Sequence, residues 1–198
     1  LITQKDLPHD AYGLGQGIAI TREDKRRILM MDDDRIIRNL ELEGKIISIT
    51  QSPRKRRLII ERELHGIKEL VWLNGKEIQG FITNPLDDEL PVFGAHFTHD
   101  NRFVYMSARP DGRFDMREGS FSKARGIQSR LLGSSVKGVP LAPICSHRSQ
   151  RVFFFKEVSE IGYVPVCRRL SDGDDRIMGE LCEMPVVLHA SRNADTIA

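Results

Sequence analysis

The sequence predicts an all-β fold: a β-propeller, or a four-to-five-repeat part of one, built from antiparallel meander blades. Short β-rich apolar runs alternate with turn residues along most of its length, and almost no stretch has the spacing of a helix. A polar turn opened by Ser or Thr also recurs before an apolar run, at Thr21, Ser52, Thr98, Ser146 and Ser191. The successive intervals are 31, 46, 48 and 45 residues, and a period of roughly 40 to 50 residues with several short strands is typical of propeller blades.

The best-marked meander lies between residues 68 and 112. The runs Glu69–Leu73 and Glu77–Thr83 are separated by Asn74-Gly75, a dipeptide that accepts the positive φ angles of a two-residue hairpin turn. A polar loop over 84–89 then leads into a strand over 92–97, and residues 98–101 turn the chain into a fourth strand over 103–106. We therefore expect an antiparallel meander here.

Other segments carry weaker signals. Residues 1–16 predict an extended arm or loop, and 117–138 is the least regular part, with one strand around Ile127 and Leu131. Residues 35–42 have a helix-like spacing, but their position in the repeat favours a strand. The segments 162–170 and 177–181 predict strands of the fourth repeat, and 185–189 predicts the innermost strand of the next.

Composition sets limits on the function. Lys and Arg number 30 against 28 Asp and Glu, so the net charge of +2 predicts no nucleic-acid partner. No run approaches the roughly 18 apolar residues of a membrane span, so we expect no membrane insertion. The three cysteines fit no zinc motif and predict buried or free thiols, although a disulfide between Cys167 and Cys182 stays open.

The segment Phe97–Ser107, with Arg109, Asp111 and Gly112 behind it, resembles the TolB-like (WD-like) β-propeller repeat, whose consensus is close to S-P-D-G-K-x-I-x-F. Residues 81–83 stand where the L-T of that family closes the preceding blade. Only Ser52-Pro53 keeps the S-P pair of the consensus, and no opening turn keeps its D-G. The resemblance implies one propeller domain over 1–198, incomplete at its ends, that acts as a scaffold for protein–protein interaction, often in the bacterial envelope.

The chemistry-bearing residues predict binding and no catalytic site. The chain contains no G-x-S-x-G nucleophile elbow, and its six histidines lack the spacing of a zinc site, so we expect neither a metal nor a cofactor. Propeller ligands meet the loops at the mouths of the central channel. The predicted ligand-binding residues are the loop residues Asp87, Asp88, Arg109 and Asp111.

Two other functions stay open. The chain could be the propeller domain of a peptidase that resembles prolyl oligopeptidase, with the catalytic domain outside it. It could also be a carbohydrate-active propeller that uses carboxylates such as Asp88 and Asp111 as acid and nucleophile. The oligomeric state is not predicted by the sequence.

Overall fold

The computed structural model describes residues 10–13, 18–21, 27–32, 35–54, 57–74, 77–122, 126–137, 143–146, 150–159, 162–171 and 173–183. The predicted strand over 185–189 and the opening turn at Ser191 lie outside these residues. The chain divides into two compact units, one up to Ile82 and the other from Thr83. Each unit contains two four-stranded antiparallel sheets.

The first unit holds sheets A and B, each a meander whose strands follow the chain order. Sheet A consists of β1 (Asp10–Gly13), β2 (Ile18–Thr21), β3 (Arg27–Asp32) and β4 (Arg35–Glu41). Sheet B consists of β5 (Lys45–Gln51), β6 (Arg57–Leu64), β7 (Ile67–Asn74) and β8 (Glu77–Ile82). The strand prediction for residues 35–42 is thus confirmed.

The second unit repeats this arrangement in sheets C and D. Sheet C consists of β9 (Val92–His99), β10 (Arg102–Ala108), β11 (Arg113–Ser122) and β12 (Gly126–Lys137). Sheet D consists of β13 (Ile144–Ser146), β14 (Arg151–Ser159), β15 (Gly162–Arg169) and β16 (Asp175–Ile177). Four successive four-stranded meanders are the blades of a propeller, and the predicted fold class is confirmed.

Tight turns fix the register of sheet B. Asn74 pairs with Glu77, as the predicted hairpin requires. A second two-residue turn joins β6 to β7, where His65 and Gly66 have φ angles of 52° and 82°. Positive φ at both central residues matches the right-handed twist of the flanking strands. This turn was not predicted, because the His65-Gly66 dipeptide is not among the common hairpin turns.

Alternate positions of the strands supply the apolar cores. In the first unit, Ile28 from sheet A packs with residues from sheet B that include Leu58, Ile60, Val71 and Leu73, and all five are fully buried. In the second unit, Val104 and Met106 of β10 pack with Met116 of β11 and Val152 of β14. The sheets within each unit therefore meet face to face, and truncating one of these side chains to alanine costs about 2 to 5 kcal/mol.

Several predictions about the elements were wrong. The single meander expected over 68–112 is divided, because β7 and β8 are the last strands of sheet B whereas β9 and β10 are the first strands of sheet C. The expected arm over 1–16 contains β1, which pairs with β2 from Asp10↔Thr21 to Gly13↔Ile18. The strand expected around Ile127 and Leu131 is present as β12, but the segment 117–138, expected to be the least regular part, also contains most of β11, and these are the two longest strands described. In the fourth repeat β16 covers only Asp175–Ile177, and after it Cys182 forms an isolated bridge with Tyr163.

The short first interval has a structural explanation. Ser52, Thr98 and Ser146 lie at the junction between the first and second strands of their sheets, whereas Thr21 ends the second strand of sheet A. Thr21 is therefore not equivalent to the other three positions. The register assigned to the first repeat was displaced by one strand, and this displacement shortens the interval to 31 residues.

The cysteines are free thiols. Cys167 is buried in β15, and Cys145 and Cys182 are partly buried. The disulfide between Cys167 and Cys182 is not formed. Instead, Cys182 Sγ donates a hydrogen bond to the carbonyl of Tyr163. Burial raises the pKa of the Cys145 thiol well above its usual value of 9.0, which keeps that side chain neutral.

Candidate functional site

The predicted ligand-binding residues lie in two connections of the second unit. Asp87 and Asp88 are in the loop 84–91 that leads into β9, and Arg109 and Asp111 are in the turn 109–112 between β10 and β11. We call these two connections the acidic rim. Both lie at the end of β10: the turn 109–112 follows Ala108 directly, and hydrogen bonds hold the loop 84–91 to Ala108.

Ala108 anchors the loop 84–91 at both of its ends. The amide of Asn84, which is buried, donates a 2.7 Å hydrogen bond to the Ala108 carbonyl. The backbone N–H of Ala108 in turn donates to the carbonyl of Pro91 at 3.0 Å. Because the first and last residues of the loop are both hydrogen-bonded to Ala108, the backbone of the loop is held at both ends.

Hydrogen bonds inside the loop fix its shape. The Asn84 side-chain oxygen accepts a bond from the backbone N–H of Leu86, and Asp87 Oδ1 accepts one from that of Glu89, each at 3.0 Å. Side chains that accept from the backbone two residues on are typical of Asx turns. The exposed side chains between these turns are Leu86, Asp87, Asp88 and Glu89.

The turn 109–112 is equally well ordered by hydrogen bonds. Arg109 N donates to the Arg113 carbonyl at 2.8 Å and Gly112 N to the Arg109 carbonyl at 3.1 Å, with Gly112 at a φ of 76°. Asp111 Oδ1 accepts from the backbone N–H of Arg113 at 3.2 Å. The Asp111 carboxylate therefore closes the turn and remains half exposed.

Arg109 links the exposed rim to a buried carboxylate. Its Nε lies 3.5 Å from Asp111 Oδ1, and its Nη1 lies 3.5 Å from Asp115 Oδ1. The Asp115 side chain is only 3% exposed, against 52% for Asp111. The structure thus joins the predicted residues Arg109 and Asp111, while Asp87 and Asp88 lie on the neighbouring loop.

Asp115 belongs to a polar network across three strands of sheet C. Arg117 lies 3.9 Å from Asp115 Oδ2 and donates hydrogen bonds to the hydroxyls of Ser107 and Ser129. Tyr105 also donates to Ser129 Oγ, at 2.8 Å. Burial raises the pKa of Tyr105 above its ordinary 10.0, so its hydroxyl stays a donor at neutral pH.

Three residues that form or support the acidic rim were missed by the sequence analysis. Asn84 anchors the loop, Leu86 is 52% exposed, and Asp115 holds Arg109. The Asn84-Pro85 pair is a turn signal that marks the start of the loop. Asp115 stands between the apolar residues Phe114 and Met116 in β11, and a buried carboxylate is normally paired.

The acidic rim is rich in exposed carboxylates. The loop 84–91 carries three carboxylates and no basic side chain. Among the described residues, no group of three or more His, Cys, Asp and Glu side chains is arranged to hold a metal ion. The described part of the chain also contains no helix that could cross a membrane.

The four meanders and their short connections define a β-propeller fold. No family model matches the chain, and no curated protein matches it. Among solved structures, TolB from Acinetobacter baumannii aligns with a TM-score of 0.63 at 16% identity over 92% of this chain and 45% of that one. A putative TolB from Agrobacterium tumefaciens aligns at 0.62, with 12% identity, over 90% of this chain and 64% of that one.

The resemblance to TolB structures therefore extends to the fold, which is that of a TolB-like propeller. The chain spans less than two thirds of either TolB chain. The tricorn protease aligns as well, with a TM-score of 0.58 at 9% identity, over 96% of this chain and 18% of that one. Such low identities describe a shared architecture and do not assign an activity.

Proposed function

We propose that the chain is a non-catalytic scaffold for protein–protein interaction and that the acidic rim is its contact surface. The observation that carries the proposal is the position of Leu86, an exposed apolar side chain set among three exposed carboxylates on a loop that is hydrogen-bonded at both ends. Protein contact sites combine an apolar core with a polar rim that stays accessible to solvent, and Leu86 among its carboxylates has this arrangement.

The anchored loop reduces the cost of binding. Ordering a flexible segment at an interface opposes association by about 0.5 to 1.5 kcal/mol for each immobilised side chain. The hydrogen bonds that join Asn84 and Pro91 to Ala108 hold the backbone of the loop 84–91 before a partner binds. Arg109 is held in the same way, because the buried Asp115 lies against its guanidinium.

The charge of the rim specifies the partner's chemistry. Asp87, Asp88 and Glu89 are consecutive exposed carboxylates, and Asp111 adds a half-exposed one. A partner that suits this surface has lysine or arginine side chains around an apolar pocket for Leu86. Electrostatic complementarity of this kind accelerates association and weakens with added salt.

The carbohydrate-active alternative requires Asp88 and Asp111 as a catalytic pair. Asp111 is engaged by Arg109 and by the backbone of Arg113, which gives it a role in the turn and favours the scaffold function. Hydrolysis of a glycoside that is lost in both Asp88→Asn and Asp111→Asn would support the alternative instead. The extracytoplasmic location and the single-domain organisation follow from the TolB resemblance and remain expectations.

The experiment compares three forms of the chain as bait in an extract of its source. We expect one protein to be captured in fixed ratio by the wild type and by Glu180→Gln, which removes an exposed carboxylate of the segment after β16. The double variant Leu86→Ala/Asp88→Asn is expected to lose that protein. A partner that all three forms retain equally would refute the rim as the contact surface.

A further inference from the structure

Two arginines are direct neighbours on one face of sheet D. Arg151 in β14 and Arg169 in β15 are register partners, so their side chains project from the same face. In this geometry the Cβ atoms of opposite residues are about 5 Å apart, and like charges in such a pair destabilise the sheet. The fold therefore places two arginine side chains next to each other on this face of sheet D.

A third arginine joins them from the next strand. Arg176 in β16 is the register partner of Cys167, which lies two positions before Arg169 on the same face of β15. All three arginines line a single cavity of about 530 Å³, together with Cys167 and Met178. Binding sites for small ligands typically have volumes of about 300 to 1,000 Å³.

The pKa of the Cys167 thiol also reflects the three nearby arginines. Burial raises the pKa of this thiol, and the positive charges of Arg151, Arg176 and Arg169 each oppose the increase. Charges act on a group in this way only at close range. The charges of all three guanidinium groups therefore act on Cys167, and the carboxylate of Asp175 acts on it in the opposite sense.

More arginines than carboxylates line the cavity among the described residues. Asp174 and Asp175 also line the cavity. Asp175, however, is bound by Arg168 through two hydrogen bonds and lies 3.4 Å from Lys156 Nζ. The other charged side chains that line the cavity are Asp174 and the three arginines, so the cavity has an excess of positive charge.

We propose that this cavity binds a phosphate group, either as the free anion or as a phosphate monoester. A carboxylate is satisfied by one guanidinium fork, whereas a tetrahedral dianion offers enough oxygen atoms to accept from three forks at once. The bound dianion would remove the repulsion between Arg151 and Arg169. The site lies on sheet D and is independent of the rim on sheet C.

Titration calorimetry of the full chain tests the proposal with inorganic phosphate, O-phosphoserine and acetate at one ionic strength. We expect one saturable phosphate site per chain and no comparable binding of acetate. Arg151→Gln and Arg176→Gln should each raise the Kd about tenfold, since each removes charge-assisted hydrogen bonds to the anion. Lys45→Gln removes one exposed positive charge from β5 and should bind as the wild type does.

The unliganded variants provide a second readout. Arg151→Gln should melt at the same temperature as the wild type or higher, because the like-charge pair is gone; a purely structural arginine would lower it. Tighter binding of O-phosphoserine assigns the site to esters, and equal or weaker binding assigns it to the free anion. Acetate binding as tight as phosphate, or equal phosphate affinity in Arg151→Gln and Lys45→Gln, would overturn the proposal.

Discussion

Arg168 and Asp175 form a two-point ion pair across β15 and β16, with Nε 2.6 Å from Oδ1 and Nη2 2.9 Å from Oδ2. The same guanidinium donates through Nη1 to the carbonyl of Leu132 in sheet C and lies over the ring of Phe154. One arginine therefore connects the last strand of sheet D with the neighbouring sheet of its unit. Planar guanidinium groups are suited to such combined contacts.

This ion pair makes the stability of the second unit depend on pH. The hydrogen bonds from Arg168 hold the pKa of Asp175 below its usual 3.8, so the pair stabilises the fold fully above pH 3.8 and less as the pH falls through the lowered pKa. Asp175→Asn should lower the free energy of unfolding by about 1 kcal/mol or less at pH 7, because solvent screens this exposed pair. Chemical denaturation across pH measures the difference.

The difference in the free energy of unfolding between the wild type and Asp175→Asn should vanish in acid, since the carboxyl of Asp175 is then neutral in the wild type as well. Glu180→Gln removes an exposed carboxylate from the same region and should show no such dependence. A gap between wild type and Asp175→Asn that stays constant from neutral pH to well below 3.8 would contradict this role of the carboxylate.

The two carboxylates on Arg109 should differ in their contribution to stability. Asp115→Asn removes the buried carboxylate that pairs with Arg109, and it should lower the free energy of unfolding by about 3 kcal/mol. Asp111 is half exposed, so Asp111→Asn should lower it by less than about 1 kcal/mol. Urea unfolding of both variants provides the comparison. Equal losses would show that Asp115 does not anchor the rim through a buried pair.

Gly119 is expected to tolerate no side chain. A methyl group on its Cα would overlap the ring of Phe103, its register partner in β10. Gly119→Ala should therefore destabilise the protein by about 2 kcal/mol or more, through forced displacement in a packed core. A double-mutant cycle with Phe103→Leu measures the coupling by thermal unfolding. We expect a smaller cost of Gly119→Ala in the Phe103→Leu background, and additive losses would disprove the clash.

Local signals made much of the fold predictable. A hairpin such as β7–β8 depends on a few adjacent residues, and recurring polar turns mark the start of the second strand in sheets B, C and D. The signals fail where pairing is decided by distant residues. Sequence alone indicated a strand around Ile127 and Leu131 but not the full length of β12, because Gly126, Ser129 and Gly133 weaken the strand pattern and its pairing with β11 sets its extent.

The sequence predicted which loop residues belong to the candidate site, but it did not predict the contacts between them and the rest of the sheet. Arg109 and Asp111 are close in sequence, so their association follows from the turn between them. The contact of Asn84 with Ala108 spans 24 residues, and no local pattern predicts it. The arginine cluster of sheet D was missed for the same reason, since Arg151 and Arg169 become neighbours only through the register of β14 and β15.

Hydrogen–deuterium exchange of the chain with and without its captured partner tests the scaffold account most directly. The account predicts that the partner slows exchange in residues 84–91 and 109–113, where the acidic rim lies. Residues 173–183 of sheet D, which are outside the rim, should exchange at an unchanged rate. A complex that forms while both rim segments exchange as fast as in the free chain would contradict the central claim.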